Sequence, residues 1–249
     1  MWGVPGKQAS GIVLDTLTYT NQNINITAND CKSQADSGCE IVNIEYPVFK
    51  GAAILNDAVS STLIKTLGLY NKIDTNLNQV SQTFVKSYTA FKSQQRKSSI
   101  IYSLMGKGKV IRQDSSLVTL QLNGYIFQGG AHGGSSVQFI NWNTKANKNI
   151  TLSDILVNGY EEKLTAVADT IFRKSEKLSD TSSLKHDYFF KDGKFALNNN
   201  FLITPVGLRF LYNQYEIKPY AAGQTNLLVP YAKIKSLLLP HTVVSQYIK

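Results

Sequence analysis

Apolar residues along this chain recur at two spacings, and the spacing changes from element to element. Ile12 to Thr20 and Glu40 to Phe49 are rich in Ile, Val, Tyr and Thr. In the second stretch Val42, Ile44, Tyr46 and Val48 alternate with Asn43, Glu45 and Pro47, the period of a strand with one buried face, so both stretches are predicted strands. Pro47 has no N–H for a ladder, which puts its strand at an edge or ends the pairing there. Next, Ile54, Ala58, Val59, Leu63 and Leu67, and then Val80, Phe84, Tyr88 and Phe91, recur at spacings of three and four and stripe one face of each of two helices. After Arg96 the period returns to two and predicts strands over 99–105, 109–113, 117–127 and 137–142, with Met105-Gly106-Lys107-Gly108-Lys109 as a loop between the first two. Thr151 or Ser153 caps a short segment to Leu156, and 159–178 gives a longer helix with Leu164, Val167, Ala168 and Ile171 inward. Two more strands flank Thr204-Pro205-Val206-Gly207, where Pro and Gly suit the second and fourth positions of a turn.

These elements describe an α+β chain of antiparallel sheets packed by two or three helices. The most polar run between periodic segments, 93–99, divides an N-terminal α+β sub-domain (1–95) from a C-terminal one (96–249), and strands from both can share a sheet. With 249 residues and 43% apolar content the chain can bury a sizeable core. No window approaches the apolar length of a membrane span, and the start, Met1 to Lys7, has no apolar signal core.

Charge and cysteine narrow the setting. The formal charge of +9 favours an anionic surface as partner. Arg96, Lys97, Lys107, Lys109 and Arg112 crowd the middle as a candidate basic patch, whereas Lys163, Arg173, Lys174, Lys177 and Lys185 are interleaved with acids and read as a solvated helix face. No finger, RNA-sheet or basic-heptad signature is present, so nucleic acid is not expected as a partner. Cys31 and Cys39 enclose a polar, turn-prone loop. A disulfide is the favoured reading, with a zinc pair or two free thiols as the others. A disulfide would place the protein outside the reducing cytosol.

Two segments carry candidate chemistry. Gly129-Gly130-Ala131-His132-Gly133-Gly134 leaves an imidazole uncovered among glycines that let the backbone approach a ligand closely. Phe210 to Gly223 sets Glu216 among Tyr212, Tyr215 and Tyr220, rings able to stack on a sugar or a partner protein, where burial would suit a carboxyl to general-acid work. The bland readings are a tight strand end for His132 and a structural carboxylate for Glu216. A histidine-glycine-glycine loop also occurs in lipases, but the Gly-x-Ser-x-Gly elbow they need is missing. A glycosidase would need a second carboxylate, and Asp154, Asp187 and Asp192 carry no distinguishing neighbours. His132, His186 and His241 are mutually remote in sequence, so neither a metal nor a cofactor is expected.

In order along the chain, Gly129 to His132, Asn141-Trp142-Asn143-Thr144, Thr151 to Asp154 and Tyr215 to Gly223 resemble the extracytoplasmic modules of RsiV-type anti-sigma factors, which sense lysozyme, and the related N-terminal modules of some peptidoglycan deacetylases. The resemblance spans residues 115 to 237. It implies an exported module of the periplasm or cell surface, non-enzymatic, that binds an envelope protein such as lysozyme, or a glycan such as peptidoglycan. It also implies a lipid or membrane anchor in the full-length protein. Gly130, His132, Gly133, Tyr212, Tyr215, Glu216 and Tyr220 are then the expected binding residues. The rival is a cell-wall hydrolase or deacetylase-like enzyme using Glu216 and His132, which requires both in one cleft. Common lysozymes are basic, as is this chain, so an anionic envelope polymer suits the charge better.

Overall fold

The structure, a computed structural model, describes residues 16–28, 40–68 and 76–248. Six strands form one sheet in the order of the chain: β1 (Tyr19–Thr27), β2 (Glu40–Phe49), β3 (Ser103–Gln113), β4 (Leu117–Phe127), β5 (Gly134–Asn143) and the two-residue β6 (Lys148–Asn149). Every neighbour pair is antiparallel except β2 and β3, which run parallel because α1 (Ala53–Thr66) and α2 (Leu77–Gln94) lie between them and carry the chain back. After α3 (Glu161–Ser175), β7 (Phe201–Thr204), β8 (Gly207–Tyr212) and β9 (Thr225–Pro230) make a smaller antiparallel sheet. The chain is α+β, and strands from both sides of residue 95 share the larger sheet.

One face of the larger sheet meets α1 and α2. Val42, Ile44, Leu104, Leu120, Leu122, Ile140 and Trp142 bury against Leu55, Val59, Leu63, Val80 and Phe84. The core stripe of α1 is thus Leu55, Val59 and Leu63, while Ile54, expected inside, is 56% exposed one position off that face. In α2, Val80, Phe84 and Tyr88 face inward as the spacing predicts, and the Asn76 side chain caps the helix by accepting from the Gln79 N–H at 3.0 Å. A second core joins α3, through Leu164, Ala168 and Phe172, to Phe201, Leu208, Phe210, Leu227 and Val229 of the smaller sheet.

Three sequence expectations change. The first described strand is Tyr19–Thr27, which overlaps the expected Ile12 to Thr20 only at its last two residues; the part of that expectation before residue 16 lies outside the described residues, as do Cys31 and Cys39. Met105 to Lys109 is no loop: β3 runs unbroken through Gly106 and Gly108. Side chains there would collide with the helix-side face, since a Cβ on Gly108 would lie 2.8 Å from Pro47 Cδ and one on Gly106 3.1 Å from Ile44 Cγ2. Finally, Pro47 is in an interior strand, but the β2–β3 ladder stops at Glu45, just short of the missing N–H.

The two sheets are joined by amide side chains. Asn141 of β5 donates to Phe201 O at 2.8 Å and accepts from Ile203 N–H at 2.8 Å, closing the free edge of β7. In return, Asn200 accepts from Phe139 N–H at 3.0 Å and donates to Val137 O at 2.8 Å, and Asn213 accepts from Val137 N–H at 2.7 Å. The side chains thus stand in for a ladder neither sheet could make with the other, because buried backbone groups must find partners. Val137 and Phe139 then pack on Leu202 and Leu211.

The β3–β4 hairpin turns on Asp114, whose carboxylate accepts from the N–H groups of Ser116 and Leu117 at 3.0 and 2.9 Å and pairs with Arg112 at 3.4 Å. Partial burial works to raise its pKa, but those N–H groups, Arg112 and the Ser116 hydroxyl outweigh it and hold the carboxyl below the usual range. Asp154 is held low in the same way, with burial opposed by Lys148 and by the Thr151 N–H and hydroxyl. Both groups therefore bind protons less readily folded than unfolded. Their contribution is fully present above the unfolded carboxylate value of about 4 and is lost as pH falls through the lower folded values. Urea midpoints of the wild type should drop between about pH 4 and pH 2, and Asp114→Asn should flatten that drop; an equal drop in the variant would reject the role of Asp114.

Candidate functional site

The β4–β5 hairpin projects Gly129, Gly130, Ala131 and His132 from one end of the larger sheet. Gly129 and Gly130 take φ of +94° and +100°, which side-chain-bearing residues avoid. At Gly133 the constraint is space: a Cβ there would fall 2.4 Å from the ring of Tyr125, which lies across the backbone. Against this loop comes the turn after β8. The His132 ring stacks on Tyr220 with centroids 3.9 Å apart, and Tyr215 follows at 6.3 Å. The Tyr220 hydroxyl donates to Gly133 O at 3.3 Å, and the Tyr215 hydroxyl meets His132 Nε2 at 3.4 Å. With Nδ1 donating to Gly133 O at 3.0 Å, Nε2 is the acceptor of that contact. Tyr215 is 56% exposed and holds φ +64°, a conformation that turns its ring outward beside the imidazole.

The other expected residues divide. Tyr212 is 1% exposed, and its hydroxyl donates to Ala196 O at 2.7 Å, so this ring belongs to the core and not to a binding surface. Burial and the nearby Glu216 carboxylate push its phenol up. Glu216 is exposed, not buried among rings. Its two oxygens accept from Asn198 Nδ2 at 2.7 Å and Asn213 N–H at 2.8 Å, closing the turn that presents Tyr215. It is adjacent in sequence to the stack, yet its carboxylate is held in the turn.

Lys107 and Lys109 stand on one exposed face of β3, with Lys107 3.6 Å from Glu45. Arg112, past a bulge, pairs with Asp114 and lies 5.1 Å from the Tyr247 ring. Arg96 and Lys97 lie in the turn after α2, beyond the other end of β3. Of the five cations that crowd in sequence, three are thereby strung along a strand and two sit in a turn beyond its start.

The face carrying Lys107 was not legible as a site. It is the side of the larger sheet opposite α1 and α2, and the smaller sheet covers it over β5, with Arg209 reaching across to Gln121 of β4 at 3.4 Å. Pairing registers align Asn25, Asn43, Met105, Tyr125 and Ser135 in one cross-strand row and Asn23, Glu45, Lys107 and Asn123 in the next. A depression of about 480 Å³ opens here, lined by Asn43, Glu45, Lys107, Asn123 and Tyr125 among others. Tyr125 joins it to the His132 stack, since its ring lies across Gly133. The available signal was the alternation of amides with Ile in β1 and β2, which reads as a strand with a hydrogen-bonding outer face. Such a face offers donors and acceptors spaced about 4.8 Å from strand to strand along each row. Among the described residues no three His, Cys, Asp or Glu side chains converge as a metal site.

Two family models match the chain. Residues 33–135 match the deacetylase PdaC model, and residues 153–232 match a family described as a protein of unknown function, DUF3298. The deacetylase match reaches back well before residue 115, where the motif resemblance begins. A crystal structure of a DUF3298 family member from Bacteroides fragilis superposes with a TM-score of 0.71 at 22% identity, covering 93% of this chain and 97% of that one. A DUF3298 family protein from Pseudomonas aeruginosa superposes with a TM-score of 0.70 at 22% identity, covering 90% and 95%. These superpositions show the fold. No curated protein matches the chain. The chain is thus similar over one segment to a domain family of unknown function and over another to a deacetylase-related module.

Proposed function

We propose that this chain is an exported, non-enzymatic envelope module that binds a glycan along the open face of its larger sheet, with the His132 stack as the aromatic anchor. The observation that carries this is continuity: Tyr125 both lines the amide-rich depression and packs under the hairpin bearing His132. Sugars present apolar ring faces with hydroxyls at their rims. The half-buried Tyr125 ring beside Asn43, Glu45, Lys107 and Asn123, followed by the exposed Tyr215 in the His132 stack, answers both needs. The similarity of residues 33–135 to a deacetylase model points to the same ligand class. Charge has a secondary part, because Lys107 has Glu45 beside it and Arg112 is held by Asp114.

Retention on purified peptidoglycan sacculi, measured across a salt series, tests this reading. The wild type should be retained, with a moderate loss as salt rises. The pair Tyr215→Ala and Tyr220→Ala should weaken binding at least tenfold, since each lost ring contact is worth about 0.5–1.5 kcal/mol and the His132 ring loses its support. No retention at any salt, or capture of lysozyme in place of sacculi, would overturn the glycan reading.

A further inference from the structure

We propose that the outer edge of β1 is a self-pairing surface, through which two copies of this chain join their larger sheets across a two-fold axis at Asn23. Exposed strand edges invite pairing, and proteins blunt them with short strands, Pro, Lys, or covering side chains. The other described edges are blunted so: β6 has two residues, β7 is closed by Asn141, and β9 ends in Pro230. β1 is different. It runs nine residues, has β2 on one side, and has no described strand on the other. Residues 16–28 contain no Lys, Arg, Asp, Glu, Pro or Gly.

The occupant follows from the register. Lys50 N–H donates to Thr18 O at 2.8 Å, so even-numbered residues of β1 bond to β2, and the backbone groups of Tyr19, Asn21, Asn23 and Asn25 point outward. An antiparallel second copy centred on Asn23 sets Asn23 against its own counterpart and Asn21 against Asn25. Amide side chains then face amides on the open side of the sheet, and Thr20 and Gln22 face Ile26 and Ile24 on the helix side. Ile24 and Ile26 are half-buried at the rim of the first core, and the second strand would cover them. No charges meet at the seam, so two copies of net charge +9 can approach there without setting like charges against each other. The pairing would also set the two amide-rich faces side by side in one continuous sheet.

Sedimentation velocity of the full chain over a micromolar concentration series tests it. The expected result is a species of twice the 27.6 kDa chain mass at the upper end, more populated as salt screens repulsion between copies. Asn23→Pro removes only an outward N–H, and Asn23→Lys sets like charges against each other on the axis. Each should weaken association at least tenfold while melting close to the wild type. A wild type that stays monomeric throughout, or a dimer that persists in both variants, would overturn the proposal. Dimerisation that weakens with salt would also count against it, and sacculus retention by a monomeric variant would leave the glycan reading standing.

Discussion

Asn141→Leu should lower the stability of this protein by about 4 kcal/mol, the largest single-residue loss we expect from a change that keeps side-chain volume. Asn141 is 2% exposed, and its amide is what meets Phe201 O and Ile203 N–H at the edge of β7. Leucine fits the space but leaves both backbone groups buried without partners, at about 1–3 kcal/mol each. The seam between the two sheets would loosen, so Val137 and Phe139 would lose part of their packing on Leu202 and Leu211. A loss of this size lowers the melting temperature by about 10 °C in a chain of this length. Asn149→Ala is the control: Asn149 is exposed and accepts only from Asn141 N–H at 3.2 Å, so about 0.5–1 kcal/mol is expected. Chemical denaturation of both variants decides the matter. A cost below about 1 kcal/mol for Asn141→Leu would show that the amide is not what joins the sheets.

Gly124→Ala is expected to cost about 3 kcal/mol, for a steric reason. A Cβ at this position would stand 2.5 Å from Thr66 O and 2.7 Å from Thr66 C, backbone atoms at the end of α1 that no rotamer can move aside. Ser136 also donates to Thr66 O at 3.1 Å, so a shift of α1 strains a second contact on β5. Gly134→Ala, at the start of β5, meets only Ile126 Cγ2 at 3.8 Å and should change stability by no more than about 0.5 kcal/mol. Comparable costs for the two would mean that close approach of α1 to β4 is not the constraint.

Both predictions rest on residues whose role the sequence did not announce. Asn141-Trp142-Asn143 was visible as a motif, but an asparagine in a strand gives no sign of which edge it will close. Gly124 was one glycine in a strand of otherwise regular alternation. Tyr212 and Tyr215 looked alike among the rings, and only the exit of the chain from β8 sends one into the core and the other to the surface. Glu216 looked buried by its neighbours, whereas the turn that closes on Asn213 turns it to solvent.

What the sequence by itself determined is what short-range physics controls. Periods of two and near 3.6 placed β2, β4, both helices of the first layer and α3, because alternate burial and helical striping are local consequences of one apolar face. The ordered motifs carried the resemblance and pointed to both halves of the His132 stack. The tertiary structure alone decided the parallel pairing of β2 with β3, the passage of β3 through two glycines, the amide seam, and the rows that line Asn25 up with Asn43 and Asn23 with Glu45, Lys107 and Asn123. Each depends on which distant strand lies alongside, and at what register. A shift of one residue would turn the amides of a strand to its other face, and no local pattern encodes that choice.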